Sequence, residues 1–141
     1  MFTNKKPVLF VAALVALLTA PITQAKQPAS LNNCQALTQF VAQFYLYGSA
    51  CERTYNSNIV AQIENHADQI YAYFTACQKL GMTQKMQDAW GERALYRYGA
   101  AIRKKYAISH QDTDNQYQQK IAVFCQDERT TMEKQMKRWF K

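Results

Sequence analysis

Four cysteines, Cys34, Cys51, Cys77 and Cys125, constrain this chain more than any other feature, because the sequence around them is patterned almost entirely as amphipathic helix. No two of them have the two-residue gap of a zinc knuckle or a thioredoxin-like redox motif, and no CxxCH offers haem attachment. With only His66 and His110 to complete a ligand set, no metal or other cofactor is expected. An even cysteine count reads as two disulfides if the chain is exported.

The first residues indicate that it is. Lys5 and Lys6 precede the apolar run "VLFVAALVALLTA", residues 8–20, and Thr23 and Ala25 are small residues ahead of a cleavage point. That is the plan of a secretory signal peptide, residues 1–25, removed after Ala25. The run of 13 residues is shorter than the roughly 20 that span a bilayer, so no stable membrane insertion is expected after processing. Residues 26–141 remain, enough for one helical domain and too few for two. Losing both lysines lowers the net charge from +7 to +5. Such a charge draws acidic partners weakly through a field that salt screens, and does not by itself point to nucleic acid.

Past Pro28 there is no proline, so long helices can run unbroken. A first helix is predicted from Ser30 to Gly48, with Leu31, Cys34, Leu37, Val41 and Phe44 on one face and Gly48 as a left-handed stop. "SACERTYNS" follows as a loop. A second helix from Asn58 to Leu80 carries Ile59, Ile63, Ala67, Ile70, Phe74 and Cys77. Leu80-Gly81-Met82 reads as a glycine stop with an apolar residue folding back. Thr83 caps a third helix running to Tyr106, and a fourth covers Asp114 to Trp139. The fold class expected is all-α, an antiparallel four-helix bundle stapled by two disulfides.

Helix geometry prunes the cysteine pairings. Cys34 and Cys51 bracket the first helix, about 25 Å apart at a rise of ~1.5 Å per residue, whereas bridged α-carbons lie within about 7 Å. Cys51–Cys77 would join opposite ends of the second helix. Cys34–Cys77 with Cys51–Cys125 remains, provided the loop carrying Cys51 drapes down to meet a cysteine several turns into the fourth helix.

Signs of catalysis are few. His66 flanks an apolar stripe and His110 lies in the polar connection "SHQDTDNQ". Glu64/Asp68 and Asp88/Glu92 are spaced four apart, which a solvated helix face explains. There is no GxSxG elbow and no glycine-rich phosphate loop, so no catalytic residue is assigned and the chain is read as a non-enzyme.

Binding features are better represented. In "WGERALYRYGAAIRKKY", Gly91, Leu95, Tyr98, Ile102 and Tyr106 are expected to face the core. Trp90, Arg93, Arg97 and Lys104 share another stripe, a basic, Trp-bordered face with Arg93 one turn from Trp90 and able to stack on it. Tryptophan and arginine are enriched where interfaces are tightest. The C-terminal "KQMKRWFK" repeats the composition, suited either to a membrane surface or to closing the end of the bundle. The function expected is that of an exported, periplasmic or secreted, binding protein, inhibitor- or immunity-like, that meets an acidic protein surface or an anionic envelope component. In plan it is similar to small, helical, disulfide-bonded immunity proteins, a likeness of architecture without a shared motif. The alternative is a carrier of a small molecule or lipid in the interior formed by Phe40, Phe44, Tyr73, Phe74, Tyr98 and Phe124.

Overall fold

The computed structural model describes residues 26–141, so the expected signal segment, residues 1–25, lies outside the described residues. Five helices follow one another: α1 (Leu31–Tyr55), α2 (Val60–Glu64), α3 (Ala67–Lys79), α4 (Gln84–Lys105) and α5 (Asp114–Trp139). Local chemistry accounts for most of their ends. Thr83 accepts from the Met86 amide to start α4, and Thr113 and Gln116 exchange hydrogen bonds across the first turn of α5. Gly81, at φ +101°, closes α3, with the Met82 amide bonded to the Cys77 carbonyl and Met82 itself buried.

Two expected boundaries are corrected. Gly48 does not end the first helix, which continues seven residues further to Tyr55; the left-handed stop falls on Asn56, at φ 46°. Gly48 serves close approach instead. A Cβ placed there would stand 2.7 Å from Val60 Cγ2, so its absence lets α2 lie against α1. The Val60 amide donates to Glu52 Oε1 at 3.1 Å, fixing the contact. The expected second helix is also broken, at Asn65 and His66, into α2 and α3. A tight bond from the His66 amide to the Ile63 carbonyl makes that bend.

The helices organise around α1, which packs against each of the other four and most extensively against α4. Thr38 lies opposite Gly91 and Leu46 opposite Gly99, so α1 and α4 run in the same direction. Tyr47 meets Phe124 while Phe40 meets Phe140, so α5 runs the other way. Both disulfides have the expected partners, Cys34–Cys77 with α-carbons 5.8 Å apart and Cys51–Cys125 at 5.5 Å. No draping loop is needed for the second, because Cys51 stands on α1 itself, directly beside α5. All four sulfurs belong to fully buried residues.

Phe44, Phe124, Leu37 and Ile63 complete the centre of the core. Phe124 is the hub of its α5 side, edge-on to Tyr47, Tyr98 and Tyr106 at ring distances of 6.0, 6.3 and 5.6 Å. Burial pushes the Tyr98 phenol well above its usual range, and its hydroxyl has no hydrogen-bond partner among the described residues.

Candidate functional site

On α4 the buried positions are Trp90, Ala94 and Ile102, with Tyr98 and Tyr106 half-buried between and beyond them. Each step is four residues. At ~3.6 residues per turn such a line drifts about 40° per step, so it winds around α4 as the helix crosses α1. The result corrects the expected face. Trp90 is a core residue, only 9% exposed, while Leu95, expected inside, is 40% exposed. Arg93 does not stack on Trp90; its Nε donates to the Ala89 carbonyl at 3.1 Å.

Arg93, Arg97 and Lys104 are exposed as expected. Two of them, Arg93 and Arg97, have glutamine neighbours on α1. Gln35, Gln39 and Gln43, spaced four apart on α1, face Arg93, Ala94 and Arg97 across a hollow of about 220 Å³. Gln39 and Gln43 also line an adjoining hollow of about 180 Å³, with Gln135, Arg138 and Trp139 of α5 on its other side. The two hollows therefore make one polar surface, floored by an amide row and flanked by arginines from two helices. No carboxylate lines either hollow. Among the described residues, no ion pair occupies Arg93, Arg97, Lys104 or Arg138. Lys104 lines neither hollow and stands further along α4. The glutamines were legible only as the polar flank of the first helix; nothing in their spacing said which helix would face them.

The C-terminal segment closes the end of the bundle. Trp139 sits edge-on to Tyr73, and Phe140 stacks on His66 at 4.5 Å with the planes 9° apart. His66 is thus a packing partner at the helix break. His110 is exposed in the α4–α5 connection. Asp88 accepts from Gln84 at 2.7 Å, and no group of three or more His, Cys, Asp or Glu among the described residues could hold a metal ion.

A second concavity, of about 630 Å³, opens further along α1. Leu46, Ala50, Ile102, Ile121 and Phe124 give it apolar walls, and Arg103, His110, Asp112 and Asp114 lie at its margin. It is an open cleft that shares Phe124 with the aromatic interior expected for a carrier; Phe40, Phe44, Tyr73, Phe74 and Tyr98 do not line it. Asp112 accepts from Lys120 at 2.6 Å and from the Ser109 amide at 2.8 Å, and these bonds hold its carboxyl below the usual range.

Compared with known proteins, the chain matches no protein-family model, no curated protein and no solved structure. Two formed disulfides fit an oxidising compartment, and no described helix is long and apolar enough to cross a membrane.

Proposed function

We propose that this chain is an exported, periplasmic or secreted binding protein that docks an acidic protein partner, in an inhibitor- or immunity-like role, without catalysis of its own. The observation that carries the reading is the polar surface on α1. Arg93, Arg97 and Arg138 flank Gln35, Gln39 and Gln43, and no carboxylate lines the hollows between them. Arginine forks match carboxylates in pairs, and glutamine amides accept and donate alongside. The surface asks for acidic side chains presented along a helix or strand. The buried disulfides and the leader-like N-terminus support an extracytoplasmic setting.

The test is capture from envelope extract by the oxidised protein, beside a variant carrying Arg93→Ser, Arg97→Ser and Arg138→Ser with a matched melting curve. A protein retained by the parent, released by moderate salt and lost with the variant supports the reading. The same partner set with both baits removes it. Retention of an anionic envelope polymer instead of a protein would replace the proposed partner while keeping the surface.

A further inference from the structure

We infer that the cleft between α1, α4 and the start of α5 is a separate site for a free amphipathic carboxylate, its chain against the apolar walls and its head group on Arg103. The cleft, at about 630 Å³, has the size of sites that hold small ligands, roughly 300–1,000 Å³. Its walls are built for an apolar body by Leu46, Ile102, Ile121 and Phe124.

The charges at the margin select the head group. Asp112 is already engaged by Lys120 and the Ser109 amide. Asp114 stands in the first turn of α5, where the positive end of the helix favours a carboxylate. His110 lies beside them and adds no negative charge. Arg103 has no carboxylate within ion-pair distance among the described residues. Its guanidinium lies over Gly99, with Nη1 3.8 Å from the position a Cβ would take there. Arg103 is therefore the cation at this cleft that no acid occupies, and Gly99 keeps the wall beneath it low.

Gly99 also supplies a test that spares the fold. A Cβ there would make only ordinary contacts, at 3.8 Å to Arg103 Nη1 and to Leu46 Cδ1. Gly99→Leu should therefore start from an unhindered Cβ and fill the cleft with its branches, and it is compared with the parent only at a matched melting curve. Sodium decanoate below its micellar concentration is titrated into the oxidised protein by calorimetry, with decanol as the uncharged control. One decanoate per chain is expected, with shifts confined to amides of residues 46–50, 99–103 and 117–124. Arg103→Gln should weaken decanoate about tenfold and leave decanol unchanged. Gly99→Leu should abolish binding of both. Absence of saturable binding, undiminished binding to Gly99→Leu, or equal affinity for decanoate and decanol overturns the assignment. None of these variants touches the arginine–glutamine surface, so the docking reading stands or falls separately.

Discussion

Near Cys34 the last residues of the chain fold back over α1, and rings from four segments close the core: Phe40, His66, Tyr73, Trp139 and Phe140. Near Ala50, on the same helix, the α4–α5 connection crosses with Ser109, His110 and Asp112, and the core opens into a cleft. Both regions are anchored by a disulfide and both are built on α1. What separates them is the size of the side chains that the final segment of each neighbour delivers. A tryptophan and a phenylalanine can close an end of a bundle; a connection of small and charged residues cannot. Concavity here comes from the loop's composition more than from the spacing of the helices.

The bridges should matter most and should hardly distinguish the two regions. Chain entropy alone gives each about 4 kcal/mol for separations of 43 and 74 residues. Reduction should therefore lower the melting temperature steeply, and an unchanged thermal curve would break the account. A much larger loss from a Cys51→Ser/Cys125→Ser pair than from Cys34→Ser/Cys77→Ser would show that the open region leans on its bridge. Next in size is Phe124→Ala, which removes a fully buried ring from among three tyrosines and should cost about 3–5 kcal/mol in denaturant titration. Phe140→Ala, at a partly buried ring of the closed region, should cost less than half of that.

Two glycines should then move stability in opposite directions. Gly48→Ala forces a Cβ against Val60 and should destabilise by about 1–3 kcal/mol. Gly99→Ala meets nothing closer than 3.8 Å and should stabilise by up to ~1 kcal/mol. If both stabilise, α2 is not held against α1 as described. The smallest effect is nil at neutral pH. Burial, and then the neighbouring Tyr55, pushes the Tyr47 phenol up from 10.0 to about 12. The folded state therefore keeps a proton that the unfolded chain releases. Stability should be unaffected below about pH 10 and fall as pH rises from there towards about 12. Tyr47→Phe should lessen that slope without removing it, because burial raises the Tyr98 phenol as well.

The sequence was legible where a single helix carried the information. The glycine stop at Gly81, the Thr83 cap and the limits of α4 and α5 follow from local chemistry, and the disulfide pairing followed from helix rise. It was opaque where two helices decide together. Gly48 looks like a terminator until Val60 is placed beside it. Nothing in Asn65-His66 forbids a continuous helix; the bend accompanies contacts on either side of it, Val60 against Gly48 and Cys77 bridged to Cys34. Trp90 and Leu95 exchanged places because a contact line in steps of four winds around α4, which a straight stripe on a helical wheel does not reproduce. The arginines of the candidate site were legible as exposed charges. Their glutamine neighbours, and Arg138 from the far end of the chain, needed the fold.

The order of the cysteines has a consequence for how the chain withstands a cut in an oxidising compartment. The bridges overlap along the chain, the first joining residues 34 and 77 and the second 51 and 125. Any single backbone cut between Cys34 and Cys125 therefore leaves both pieces covalently joined. The exposed connection between α4 and α5, with Ser109, His110 and Gln111 at the surface, is the natural place for a protease to nick. A nick there would not shed a fragment. The cut protein would gain only the mass of one water, and would separate into two bands only on a reducing gel.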